Sequence, residues 1–464
     1  FPIIYEGNGG GQRVGKFVPF TDNGTIANSL IFNKGDSPRL NRTPSGTGTS
    51  RRIYTLSVWA KPSVSSSASD ERYMITAGAY GGDDALTFKS DRTLKFWING
   101  TSTANLITNR TFEDSSKFYH ILVSVDTTQS TASDRVKIYV DGDQITSFST
   151  ENYPSQDYDG NWGNTASTNI GSSNSPNRYY NGYLAEVNYV DGTALTPATF
   201  GLTDTSTGRW IPKALTGITY GTNGFRLQFG TSSALGDDTS GNENDFSVTN
   251  LVAGDQTTDS PTQNHATMNP INKASTNATL SEGNLTVTLS NTYGGACAGM
   301  ALPSSGKYYW EIKSTGTMDA NTIVGIVPDN GVIIAGSQQF PGGSSNPDSF
   351  GFGPAQTSDA QTVHNSVFEN CPTLSKTTAA GTYIQMCWDG DTGSLWFGLD
   401  NTFEGNPSAG TGASFTGINN TLKLFPACFA YADVFEFNFG QRSFQHTPPT
   451  GFVALQQDNL PETA

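Results

Sequence analysis

Apolar and polar residues alternate with period two along most of this chain, and no long stretch shows the 3.6-residue spacing of an amphipathic helix. Residues 54–60 (YTLSVWA), 93–98 (TLKFWI) and 119–125 (YHILVSV) read as strands. So do 136–140 and 182–190, each running into an Asp-Gly hairpin turn, Asp141-Gly142 and Asp191-Gly192. Such alternation predicts one packed and one wet face, as in antiparallel sheets. Strands at this spacing predict two stacked sheets, a jelly roll.

Residues 204–270 change character. Trp210, Pro212, Phe225 and Phe229 stand apart among Gly, Asp, Asn and Thr, and LGDDTSGNENDF (235–246) is rich in turn residues. The segment reads as a connector with one or two strands, partly packed on the first domain. From about 271 a second β pattern begins: NLTVTL, GKYYWEIK, IVGIV, SFGFG, YIQMCWD, SLWFGLD, LFPACFA and FEFNFGQ. The expected fold class is all-β, with two β-sandwich (jelly-roll) domains in tandem and an irregular, turn-rich connector. The expected boundaries are an N-terminal arm over 1–25, domains over 26–203 and 271–464, and the connector over 204–270. The arm holds the Gly-rich run GNGGGQRVG, which lacks the GK[ST] of a phosphate loop.

The segments TLSVWAKPS, KIYVDGDQI, TNIGSS and GYLAEVNYVDGTALTPATFG resemble successive strands of a laminin-G-like, concanavalin-like jelly roll. KYYWEIK, SFGFGP, WDGDTGSLWFGLDN, LFPACFA and FEFNFGQRSF resemble the strand series of a SPRY domain. The tandem, with its connector, resembles virion proteins of tailed bacteriophages. That resemblance implies an exposed fibre, appendage or decoration component on the virion surface. Its implied partners are other virion proteins and a host cell-surface glycan or protein receptor. It implies no cleaving activity and leaves homo-oligomerisation open.

Within WDGDTGSLWFGLDN, Asp389, Asp391 and Asp400 invite comparison with a calcium loop. An EF-hand loop needs oxygen ligands at positions 1, 3, 5, 7 and 9 and a bidentate Glu at 12. Counted from Asp389, position 5 is Gly393, position 9 is Phe397 and position 12 is Asp400. The segment therefore reads as a hairpin, with Gly390 and Gly393 at the turn.

Charge narrows the partners. Charged residues make up 14 % of the 464 residues, against roughly 25 % in an ordinary soluble domain, and the net charge is −15. This repels nucleic-acid phosphate. No apolar run reaches the ~18 residues that cross a bilayer, so neither nucleic-acid binding nor membrane insertion is expected. Cys297, Cys371, Cys387 and Cys428 form no CxxC pair, which argues against zinc. Free buried thiols and one or two disulfides both fit the spacing.

Candidate chemistry is sparse. Glu186 is the one carboxylate on a convincing strand of the first domain, but its i+2 neighbour is Asn188. The carboxylate pair of a glycoside hydrolase is therefore incomplete. His120, His265, His364 and His446 are scattered, with no HExxH and no nucleophile elbow. Sugar recognition needs aromatic faces beside planar polar groups. Two loops supply both, which makes Tyr153, Tyr158, Trp162, Arg178, Tyr179 and Tyr180 the expected ligand-binding residues. Laminin-G-like rolls often hold calcium at a loop rim. The resemblance therefore makes Asp83, Asp84, Asp157 and Asp159 candidate calcium ligands, the ion being the one cofactor in view. In the second domain the long loops 341–348, 356–376 and 401–420 read as adaptable surface. Three function classes stay open: a non-enzymatic adhesin, a purely structural virion subunit and a polysaccharide-cleaving enzyme.

Overall fold

The computed structural model describes residues 24–63, 71–174, 178–205, 207–274, 277–290, 293–329, 339–356 and 359–461. The Gly-rich run of the expected arm lies outside them. The described residues form strands, turns and short 3-10 segments with no α-helix, and divide into two units, 24–263 and 264–461.

The first unit is a sandwich of two eight-stranded sheets. One sheet runs in the order Asp143–Gln144, Val136–Val140, Tyr119–Asp126, Ile53–Pro62, Gly182–Asp191, Ser29–Phe32 and Gln256–Thr257, with Phe225–Leu227 also pairing Gly182–Asp191. The other runs Phe148–Asn152, Ala104–Thr111, Thr93–Ile98, Asp84–Phe88, Arg72–Ala77, Thr168–Ile170, Arg39–Arg42 and Ser247–Thr249. Leu56, Val58, Ile121, Val123 and Leu184 of the first sheet meet Ile75, Leu86, Phe96 and Leu106 of the second in one core.

The connector is part of this sandwich. Ser247–Thr249 and Gln256–Thr257 add a strand to one end of each sheet, and Phe225, Leu227, Phe229, Leu235, Phe246 and Leu251 enter the core. The polar run at 235–246 folds around Asp238, whose carboxylate accepts from the backbone N–H groups of Arg226, Ser240 and Asn244 at 2.8–2.9 Å. The segment around residues 200–220 packs on the outer face of the first sheet, where Phe200 and Tyr220 meet Leu122 and Val190. This corrects the expectation of a wet face: Ile53–Pro62 is buried at nine of ten positions.

Strand Gly182–Asp191 carries a β-bulge. Ala185 pairs with Trp59 and Asn188 with Ser57, so Glu186 and Val187 together oppose Val58. Glu186 sits at φ 48°, in the left-handed region. Leu184, Val187 and Tyr189 point to the core, so the extra residue keeps Glu186 out of the position that alternation from Leu184 would give it.

The second unit has a seven-stranded sheet, Met268–Lys273, Gly294–Ala298, Leu424–Ala430, Ile323–Pro328, Phe350–Gly353, Gln361–His364 and Val367–Asn370. Its eight-stranded sheet runs Ala278–Ser281, Thr286–Leu289, Val434–Asn438, Lys307–Ser314, Tyr383–Asp389, Ser394–Leu399 and Thr402–Phe403, with Val453–Ala454 pairing Lys307–Ser314 in parallel. Tyr383–Asp389 and Ser394–Leu399 form the expected hairpin. Asp389 accepts from the N–H groups of Asp391 and Thr392 at 3.0 and 3.3 Å, and Gly393 takes φ 61°. Glu311 is buried and accepts from the N–H groups of Gln445 and His446, both at 2.8 Å, which fixes the C-terminal segment. All four cysteines are buried and unpaired; burial pushes the Cys371 thiol up to about 12.

Lys61 and Asp259 form an ion pair at 2.8 Å with both side chains out of solvent, holding the end of the connector to the first sheet. Replacing Asp259 with Ala should therefore cost about 3–5 kcal/mol, because an ammonium is left buried. Changing the pair together to Lys61→Met with Asp259→Leu should recover most of that loss. Denaturant unfolding of the three proteins checks it, and equal stability of Asp259→Ala and the parent would refute it.

Candidate functional site

The expected ligand residues separate on folding. Trp162 is 1 % exposed and packs against Tyr189 and Tyr54, with ring centroids 4.7 and 6.2 Å apart. Tyr180 is fully buried, edge-on to Phe32, and Tyr179 is buried in an antiparallel bridge to Ser172. Trp162 and Tyr180 thus have no face free for a sugar, and they fill the sandwich instead. Tyr153 and Tyr158 lie half-buried against the core. The Tyr153 hydroxyl donates to Glu151 at 2.9 Å, and that of Tyr158 accepts from Asn99 Nδ2 at 2.6 Å.

Only Arg178 carries polar chemistry to an accessible cluster. Its guanidinium donates to the hydroxyls of Tyr80 (2.7 Å) and Tyr73 (3.1 Å) and to Glu71 (3.2 Å). The guanidinium lies 4.7 Å from the Tyr80 ring centre, and Tyr80 is 50 % exposed. Glu71 also pairs with Lys95 at 3.2 Å, and Lys95 covers the Trp97 ring at 4.3 Å. An open aromatic ring thus stands beside fixed donors and a carboxylate. Tyr80 was missed in the sequence, although an aromatic inside GAYGG, between turn glycines, is the signal that marks it.

Three of the four calcium candidates are engaged by other groups, and Asp83 keeps one buried oxygen, Oδ2, without a hydrogen-bond partner among the described residues. Asp84 is buried and accepts from the N–H of Asn99 (2.8 Å) and from the N–H and Nδ2 of Asn161 (2.7 and 2.9 Å). These donors turn their positive ends toward the carboxylate, where a cation would have to sit. Burial pushes the Asp84 carboxyl up to about 6. Asp157 and Asp159 are instead bridged by the Arg52 guanidinium at 3.2 and 2.8 Å. Asp83 takes a long bond from Trp97 Nε1 at 3.4 Å. Among the described residues, no three His, Cys, Asp or Glu side chains gather as a metal centre.

A cavity of about 270 Å³ opens on the outer face of the first sheet, lined by Ser57, Trp59, Glu186, Phe200, Leu215 and Arg226 among others. The bulge delivers Glu186 to it, and Arg226 Nε donates to Glu186 Oε1. The Glu186 carbonyl accepts from Asn188 Nδ2 at 2.9 Å, and Asn188 Oδ1 accepts from the Tyr220 hydroxyl at 2.6 Å.

Behind Ser57 lies His120, with 2.9 Å between Oγ and Nε2. The other ring nitrogen, Nδ1, faces Trp210 Nε1 at 3.0 Å. An indole N–H can only donate, so Nδ1 accepts, the neutral ring carries its proton on Nε2, and that proton goes to Ser57. This polarity is opposite to that of a serine nucleophile and its base. Burial pushes the His120 imidazole down to about 3. The other histidines stand apart: His364 stacks on Phe350 at 4.5 Å and His446 lies edge-on to Tyr383, while His265 is buried.

The loops of the second unit are more ordered than their composition suggests. The segment 356–376 contains the hairpin Gln361–His364/Val367–Asn370. The segment 401–420 is pinned by Trp396 Nε1 donating to the Thr411 carbonyl at 3.0 Å and by the Leu395–Phe415 bridge. In 341–348, Gly342 N–H donates to Ser349 Oγ at 2.7 Å.

Comparison with known proteins fits these geometries. Residues 37–199 match the laminin-G type of the Concanavalin A-like lectin/glucanases superfamily, and residues 307–442 match the SPRY domain. The chain therefore carries a concanavalin-like domain and a SPRY domain in tandem, both of them binding-type domains. A search of curated proteins finds no match. Among solved structures, the SPRY domain of human HERC1 is similar at 14 % identity and TM-score 0.29, covering 39 % of this chain and 99 % of that one. The PSpry domain of TRIM65 gives 14 % and 0.29, covering 38 % and 89 %. A heptameric SAP-like pentraxin from Limulus polyphemus gives 16 % and 0.28, covering 37 % and 80 %.

Two outcomes follow from the site geometry. His120 should keep Nε2 protonated and Nδ1 bare from about pH 8 to about pH 4 in ¹⁵N NMR spectra; a proton on Nδ1 would refute the assigned polarity. The unfolded ring takes a proton near 6.5 and the folded one only near 3. His120 therefore makes stability fall as pH falls through that window. Chelator should leave the melting of the first unit unchanged, since N–H groups and Arg52 already hold the carboxylates of Asp84, Asp157 and Asp159. A lowered midpoint with EDTA, restored by calcium, would overturn that reading.

Proposed function

We propose that this chain is a non-enzymatic attachment protein, an exposed fibre or appendage component of a tailed bacteriophage that engages glycans on a host surface. One observation carries the binding reading: the exposed Tyr80 ring beside the Arg178 guanidinium and Glu71. The ring offers an apolar face for the C–H side of a sugar, and the two charged groups offer planar donors and acceptors for its hydroxyls. The virion setting is supported by the order of the two domains and by the resemblance of the tandem to phage particle proteins. Display in many copies would let weak single sites act through avidity.

A purely structural role in the particle has one feature in its favour. Strand Val367–Asn370 is exposed at all four positions at the end of the seven-stranded sheet. A neighbouring subunit could add a strand there.

The test is binding of the purified chain, in multivalent form, to host-surface polysaccharide. Saturable binding should weaken at least tenfold in Tyr80→Ala, about 1.4 kcal/mol or more, with the melting midpoint unchanged. A folded protein that binds no surface polysaccharide in any format would favour the structural role.

A further inference from the structure

We infer that the cavity lined by Glu186, Arg226 and Ser57 is a second binding site, walled on one side and open on the other, that takes one neutral sugar residue, end-on. The first argument is the backbone. A non-glycine residue at positive φ inside a strand costs of order 1–3 kcal/mol, and glycine would avoid it. Here the strained residue is Glu186, and the bulge that strains it also delivers its carboxylate to the cavity.

The second argument is the set of groups left over. Arg226 Nε occupies Glu186 Oε1, and among the described residues Glu186 Oε2 and both Nη groups of Arg226 have no hydrogen-bond partner. Ser57 Oγ receives the His120 Nε2 proton, so its own hydroxyl hydrogen is available to donate. An acceptor and several donors therefore sit side by side.

Charge then selects the ligand. Glu186 and Arg226 neutralise each other, and Lys213, the third charged residue of the lining, spends its ammonium on the Ala198 carbonyl at 3.1 Å; within the pair a bound anion would meet the carboxylate and a bound cation the guanidinium. A vicinal diol suits both: one hydroxyl donates to Oε2 while its neighbour accepts from Nη. Trp59, Phe200 and Leu215 supply an apolar wall for the ring carbons. At about 270 Å³ the cavity is smaller than the about 300–1,000 Å³ of drug-sized sites, which fits a single ring. The wall at Gly24 (φ 105°) is closed by backbone: a Cβ there would lie 2.3 Å from Ala214 N. A chain end can enter such a cavity, whereas the middle of a polysaccharide suits the open ring at Tyr80. The sugar class rests on the glycan-binding reading above, but the site is separate from it.

The experiment is ligand-observed NMR titration of the full chain with a panel of methyl hexosides, N-acetylhexosaminides, deoxyhexosides and myo-inositol. At least one should bind with a millimolar dissociation constant. Ala214→Trp, which places bulk at an exposed position on the cavity lining, should weaken that binding tenfold or more without changing the melting midpoint. Ser57→Ala should weaken it too, and Tyr80→Ala should leave it intact. Acetate and methylammonium should not displace the sugar. No binding across the panel would overturn the inference, even if polysaccharide still binds, and the glycan reading would then stand alone. Loss in Tyr80→Ala with retention in Ala214→Trp would assign the binding to the exposed cluster and equally overturn it. Displacement by either simple ion would overturn the neutral-ligand assignment.

Discussion

The first unit is organised around one extra residue in Gly182–Asp191, one of its two ten-residue strands. Gly182–Asp191 pairs with Ile53–Pro62, with Ser29–Phe32 and with Phe225–Leu227. Without the bulge, the face that holds Leu184 would also hold Glu186, and a carboxylate would enter an apolar core at a cost of several kcal/mol. Inserting Glu186 moves the charge to the outer face and lets Val187 and Tyr189 resume inward packing. The outer face can then seat Arg226 on a strand of its own. The cavity and the Glu186–Arg226 ion pair follow from that shift.

Polar side chains serve the backbone more than the surface. Asp84 gathers three N–H bonds from two loops, Asp191 holds the N–H groups of Thr49, Ser50 and Asn223, and Glu311 holds two N–H groups of the C-terminal segment. Each carboxylate satisfies amides that a loop cannot pair with itself. Part of the chain's acidity is therefore internal wiring. The same economy engages carboxylates that look like calcium ligands in the sequence: Asp84 holds N–H groups, and Asp157 and Asp159 hold Arg52.

The strands, the two sandwiches and the 389–393 hairpin were legible, because period-two alternation and Asp-Gly turns are local signals. The bulge was legible in principle: in LAEVNY the apolar residues Leu184, Val187 and Tyr189 break strict alternation at Glu186. What could not be read was which side of a loop an aromatic faces. Trp162 and Tyr180 sit in polar stretches, as a sugar platform would, yet they plug the sandwich, while Tyr80 in the short GAYGG turn is the ring left open. Loop composition reports exposure of the backbone and says nothing about the direction of one side chain. The connector misled for a related reason. Its turn residues hide the scattered Phe225, Phe229 and Phe246, which pack at long range and show no period.

That connector also sets an order of events during synthesis. Ile26 N–H donates to the Thr262 hydroxyl across 236 residues, and Ser29–Phe32 finds its outer neighbour only at Gln256–Thr257. At about 5–20 residues per second, the ribosome needs on the order of ten to fifty seconds between these segments. Throughout that interval strand Ser29–Phe32 has an unpaired edge. The first domain thus completes itself late, and its open edge leaves nascent chains on one polysome exposed to mispairing until the segment around residues 256–262 has emerged.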